Sequence, residues 1–139
     1  MDILEIPFHK YLNIKKVKRD KDLIFRIEER PEYLNHLGTI HACVQLSLAE
    51  ATSGEFLLHN FRCQESGLIP VIRKTEAKYH RPANGELFSK AEFFSPTRSE
   101  ALVELNEKNR TLIKVKVEVN DSEKNKVLTV IFDWFIIKK

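Results

Sequence analysis

The sequence predicts an α+β fold in which an antiparallel β-sheet wraps around one long central helix. Three observations lead there. Asn35–Leu58 (NHLGTIHACVQLSLAEATSGEFLL) reads as a loop, a turn glycine at Gly38, a cap at Thr39 and then a helix of about five turns. Around that helix the apolar side chains Ile40, Val44, Leu46, Leu48, Phe56, Leu57 and Leu58 point in nearly every direction, so other structure must surround it. The remaining chain supplies strands: a hairpin before the helix and four strands after it.

In order along the chain, Ile3–Leu12 suits a short helix interrupted near Pro7, with Phe8 and Tyr11 over an edge of the core. Ile14–Lys18 and Leu23–Glu29 form the hairpin, joined by a polar turn at Arg19–Asp22; Leu23, Phe25 and Ile27 share its apolar face. Pro31 ends it. Within the central helix Ala42, Cys43, Ala49, Ala51, Ser53 and Gly54 are small and permit close approach of other backbone. Asn60–Gly67 is expected as a polar connection, and Leu68–Tyr79 as a strand. Arg81-Pro82-Ala83-Asn84-Gly85 is a turn, because Pro fixes φ and Asn-Gly tolerates positive φ. Leu87–Phe94 is the next strand, and Ser95–Lys108 a helix with an Ala101, Leu102, Leu105 stripe. Thr111–Val119 alternates cleanly, with Ile113, Val115, Val117 and Val119 inward. After a turn at Asn120–Asn125, Val127–Ile137 returns as the last strand.

The 139 residues fit a single domain, 1–139, with ordinary globular proportions of 31% charged and 42% hydrophobic residues. A net charge of +3 suits a polyanionic small molecule and falls short of the basic stripe expected for nucleic acid. Met1–Lys10 has no signal-peptide pattern, and the apolar run Val127–Ile137 is broken by Thr129 and Asp133, so no membrane insertion is expected. Two cysteines, Cys43 and Cys63, are too few for a disulfide scaffold and point to a reduced, cytoplasmic protein. A helix with no charged face and a sheet with open edges both need cover, which two copies joined edge to edge would supply; a homodimer is the expected assembly, with a dimer of dimers left open as the alternative.

Glu50 stands in the middle of the helix with Leu46, Leu57, Cys43 and Gly54 around it and no Lys or Arg on its own turns. A buried carboxylate needs a partner from another segment or a raised pKa, and such groups concentrate at functional sites. A structural hydrogen bond at a dimer seam or in a water-lined crevice is the plainer alternative.

These residues resemble the hotdog-fold superfamily, in particular the phenylacetyl-CoA-thioesterase type of acyl-CoA thioesterase. That family has a loop N-x-x-G-x-x-H-G-G opening a helix that continues to L-A-D, and a later Tyr-x-x-Pro-Ala turn followed by Gly. Here Asn35-His36-Leu37-Gly38-Thr39-Ile40-His41 resembles the loop, Leu48-Ala49-Glu50 the helix and Tyr79-His80-Arg81-Pro82-Ala83-Asn84-Gly85 the turn, with matching spacing. The similarity spans roughly Ile14 to Val119 and is closest to a branch with H-A and L-A-E in place of H-G and L-A-D.

The resemblance implies acyl-CoA thioester hydrolysis with no cofactor. Glu50 would act as general base on water or as nucleophile, and the Ala42 amide at the helix N-terminus would polarise the thioester carbonyl. Asn35 would orient water or the carbonyl, His41 would hold the loop, and Gly38 would shape it beside the substrate. Lys78, Arg81 and Arg73 would meet the coenzyme A phosphates, or else be solvated strand-end charges. Ala42 and Cys43 in place of two glycines, and Val71 where family members often carry Ser or Thr, are the departures.

Other chemistries fit less well. His41 and Cys43 lie about 200° apart on a helix, which excludes a nucleophile pair. Cys43 is expected as a small buried packing residue, and His9 and His80 as surface or strand-end residues. No C-x₂-C or H-x₃-H spacing exists among the His and Cys residues, so no metal is expected. A dehydratase would need His41 and Glu50 to meet, which only a dimer would allow. A non-catalytic acyl or acyl-CoA binding domain is the main competitor, and no segment has room for a helix-turn-helix.

Overall fold

The computed structural model describes residues 1–18 and 20–139. Six antiparallel strands form one sheet: β1 (Lys15–Lys16), β2 (Phe25–Ile27), β3 (Leu68–Tyr79), β4 (Leu87–Ser95), β5 (Arg110–Asp121) and β6 (Lys126–Lys138). Their order across the sheet is β1-β2-β4-β5-β6-β3, so β1 and β3 are the edges. The long helix α2 (Ala42–Phe61) packs against the inner face, touching β2, β4, β5 and β6. The expected α+β architecture is thus the observed one.

β5 shows why sequence alternation decides which face is buried. Ile113, Val115, Val117 and Val119 are fully buried, as expected, while Lys114, Lys116 and Glu118 point out. β6 pairs β5 from Arg110–Ile137 to Asn120–Lys126 and sends Leu128, Val130, Phe132, Trp134 and Ile136 to the same core. Outward, Glu118 meets Lys126 at 3.2 Å and Lys90 at 3.5 Å, and Lys114 meets Asp133 at 2.9 Å. Burial alone would push the Glu118 carboxyl up; the Lys126 and Lys90 ammoniums overcome it and hold the group below the usual range.

β3 is different. Of its two sides only one is paired, with β6, and most of its residues are exposed. It carries Pro70, which has no N–H to donate and is tolerated at an edge. A bulge between Ile72 and Lys74 admits Arg73 as an extra residue.

Polar groups pin α2 to the sheet. Thr52 Oγ1 lies 2.5 Å from Ser89 Oγ, which also donates to the Phe25 carbonyl at 3.2 Å. Trp134 Nε1 donates to Ser53 Oγ at 3.1 Å. On the other side, an N-terminal 3-10 turn (Ile3–Glu5) and the one-turn helix α1 (Pro7–Tyr11) lie over the helix, and a Cβ at Gly54 would stand 3.4 Å from Ile3 Cδ1.

Several expectations change. The hairpin strands are shorter than Ile14–Lys18 and Leu23–Glu29, and the expected turn includes Arg19, which lies outside the described residues. The helix begins at Ala42 with His41, not Thr39, as its N-cap. It ends where Arg62 takes a left-handed conformation, and Asn60–Gly67 is not a plain connection, since Cys63–Ser66 forms the short helix α3. The later helix, α4 (Arg98–Lys108), is capped by Thr97, which accepts from the Glu100 amide. Within one chain α2 is not covered on all sides. Val44, Leu46, Phe56 and Leu58 stay half-buried, and Ala42 and Cys43 at its start are exposed.

Candidate functional site

The loop before α2 is stiffened by its own polar groups. Asn35 Oδ1 accepts from the amides of Leu37 and Thr39 at 2.9 and 3.1 Å, and its Nδ2 donates to Thr39 Oγ1 at 2.9 Å. Gly38 takes a φ of +74°, a left-handed value that glycine adopts without Cβ strain. Thr39 therefore serves the loop rather than the helix. The loop is tied to the Arg81–Gly85 turn because the Ile40 amide donates to the Ala83 carbonyl at 2.8 Å.

His41 then opens the helix. Its Nδ1 accepts from the Cys43 amide at 3.0 Å, and its carbonyl accepts from Val44 and Gln45. An Nδ1 that accepts carries no proton, so a neutral ring here keeps its proton on Nε2. The Ala42 amide has no acceptor among the described residues. It is an exposed donor at the positive end of a 20-residue helix. Tyr79, from the edge strand β3, braces this end by donating its hydroxyl to the Ala42 carbonyl at 2.8 Å. Burial pushes the Tyr79 phenol above its ordinary value, with Cys43 adding to the effect, so it stays protonated as a donor.

A shallow hollow at this helix end is lined by Asn35, Thr39, Ala42, Gln45, Tyr79 and Arg81, among others. Gln45 is buried, donates through Nε2 to the Ile40 carbonyl at 2.9 Å, and keeps an Oε1 that accepts from nothing among the described residues. Sequence reading overlooked Gln45 and had Tyr79 only as the start of the turn motif, with no role at the helix start. The signal was a lone amide three residues past Ala42 in an apolar helix, where a buried Gln must find partners.

Glu50 lies two turns further along. Its side chain is 38% exposed, and its Oε2 is 3.3 Å from Nε2 of His9. The expected partner from another segment exists, and it is a histidine. His9, expected at the surface, is buried: α1 turns its ring inward between the Ile3 carbonyl and α2. Cys43, expected in the packed interior, is exposed at the start of α2, as Ala42 beside it is.

The structure brings Asn35, Gly38, His41, Ala42 and Arg81 together at one end of α2 and sets Glu50 apart on the same helix. Lys78 and Arg73 go elsewhere. Lys78 pairs with Thr129 on the outer face of the sheet, and the Arg73 guanidinium sits 4.5 Å from the centre of the Phe135 ring.

Sheet order and the single long helix against its inner face define a hotdog fold. Solved structures share the architecture. A probable thioesterase of unknown function from Pseudomonas aeruginosa superposes with a TM-score of 0.84 at 17% identity, over 99% of this chain and 91% of its own. A thioesterase from Haemophilus influenzae gives 0.73 at 17% identity, over 98% and 86%. A hypothetical thioesterase from Streptococcus pneumoniae, solved with coenzyme A, gives 0.66 at 18% identity, over 91% and 88%. Residues 11–136 match the family described as Domain of unknown function (DUF4442), and the chain belongs to that family. No curated protein matches it significantly in sequence.

Proposed function

We propose that this protein is an acyl-CoA thioesterase that works as a homodimer. The observation that carries the reading is the free Ala42 amide at the α2 N-terminus, on the helix that also holds the half-exposed carboxylate of Glu50. An unpaired amide at a helix start is suited to the oxygen of a thioester, whose negative charge grows as water adds. A carboxylate within reach of that carbon removes the proton from the attacking water.

The two groups are eight residues apart, roughly 12 Å along the helix axis, too far to act on one carbonyl within one chain. Two copies joined along the open edge of β3 resolve this. Their α2 helices then lie side by side, and the amide of one faces Glu50 of the other. Half-buried Val44 and Leu46 and the exposed helix start gain cover in the same step. Arg81, beside the hollow, is the cation placed to meet a coenzyme A phosphate. The coenzyme A in the streptococcal structure supports this ligand class.

Release of free thiol from a panel of acyl-CoAs, aromatic and aliphatic, tests the activity. Turnover of at least one ester is expected. Saturable binding of coenzyme A esters without thiol release would instead favour a binding domain. For the assembly, light scattering after size exclusion should return twice the chain mass at micromolar concentration; a single-chain mass would remove the shared site.

A further inference from the structure

His9 has no part in the loop and turn that define the site, yet it is the side chain that touches Glu50. We propose that His9 is a positioning residue for Glu50, locked by the Ile3 carbonyl so that a proton always lies between the imidazole and the carboxyl group. The role in turnover rests on the thioesterase reading; the proton arrangement does not.

The argument is one of hydrogen-bond valence. His9 Nδ1 is 2.8 Å from the Ile3 carbonyl oxygen. A carbonyl can only accept, so Nδ1 carries a proton and donates it. If the ring were neutral, Nε2 would then be a bare lone pair. Facing it at 3.3 Å is Glu50 Oε2, and a carboxylate oxygen is also an acceptor. Two lone pairs do not hold each other in contact. The pair therefore keeps a proton between them, as imidazolium with carboxylate or as imidazole with carboxylic acid. The opposite tautomer only moves the clash to Ile3, where the distance is shorter.

The surroundings make this arrangement stiff. His9 is 5% exposed. Its own turn contributes Lys10, which reaches 3.3 Å from Glu5 at the surface, and Glu50 is its partner from α2. The Ile3 that supplies the carbonyl also rests against Gly54, one turn after Glu50. Ring, carbonyl and carboxylate are thus fixed by the same patch of helix.

The consequence for hydrolysis is a division of labour between the two carboxylate oxygens. Oε2 is held by His9, which leaves Oε1 to face water. Oε1 takes one proton from the water as its oxygen bonds to the thioester carbon. The C–S bond then breaks, its electron pair stays on sulfur, and the proton passes from Oε1 to the thiolate. His9 keeps its Nδ1 proton on the Ile3 carbonyl throughout, and the proton between Nε2 and Oε2 holds the carboxyl group in place.

Two measurements test this. Long-range ¹H–¹⁵N NMR of the native protein reads the His9 ring directly. Nδ1 should be protonated, and Nε2 should be shifted away from a free lone pair, with the shift lost in Glu50→Gln. A neutral ring with its proton on Nε2 and bare Nδ1 would overturn the assignment, whatever the enzyme does. In kinetics, His9→Leu should lower kcat roughly 10- to 100-fold with KM little changed. His9→Gln, whose amide can still donate to Oε2, should recover most of the loss, which general damage to the fold would not allow. An unchanged kcat in His9→Leu, alongside a dead Glu50→Gln, would remove His9 from the mechanism and leave the thioesterase intact. If native protein and every variant release no thiol, the thioesterase reading fails, and the NMR result still decides the proton.

Discussion

Glu50→Gln should lower the kcat for thioester hydrolysis by about 10²–10⁴-fold, the span usual for loss of a general base. The amide is nearly isosteric with the carboxyl, and a side chain that is 38% exposed has space to settle, so the fold should persist. The amide cannot accept a proton from water. KM for the same ester should move little, because the Ala42 amide and the residues around the hollow are untouched. Thiol release at saturating and limiting ester separates the two constants. An active Glu50→Gln would show that the carboxylate is structural, serving only to hold His9 and the N-terminal turn on α2. A parallel loss in KM and kcat would place Glu50 in binding instead.

Phe25→Ala should destabilise the fold by about 3–5 kcal/mol, read as a lower midpoint in chemical denaturation with an unchanged slope. Phe25 is fully buried although it lies on a strand of three residues. The β1–β2 hairpin is too short to hold itself by hydrogen bonds, so its place on the sheet depends on Phe25 and Ile27 entering the core against α2. The Phe25 carbonyl also accepts from Ser89, the hydroxyl that meets Thr52 on the helix. Truncating the ring leaves a cavity beside this buried polar pair. A loss below about 1 kcal/mol would mean that the hairpin closes over the gap, and that the core is less tightly fixed there than its burial implies.

Elements with their own repeat were readable in advance. β5 announced its buried face through Ile113, Val115, Val117 and Val119, and the Asn35–Thr39 loop through its glycine and flanking polar residues. The cap of α2 was misplaced because Thr39 and His41 both supply an acceptor. The structure shows that Thr39 is already committed to Asn35 within the loop. Cys43 went wrong for a related reason. An all-round apolar helix implies complete cover, but the sheet and the N-terminal turns leave Ala42 and Cys43 at its start exposed. The contact between His9 and Glu50 joins residues 41 positions apart through a one-turn helix, and no local pattern encodes such a meeting. Lys78 and Arg73 were grouped with Arg81 by proximity in sequence, whereas strand alternation and the bulge at Arg73 send them to the other face.

The paired lysines and acids on the outward side of β4, β5 and β6 bear on what can pack against that face. Laying a second sheet over Lys90, Lys114, Lys116 and Lys126 would strip water from four ammonium groups whose attraction to Glu118 and Asp133 is already satisfied within one chain. That middle zone therefore disfavours flat stacking of a second sheet on this face.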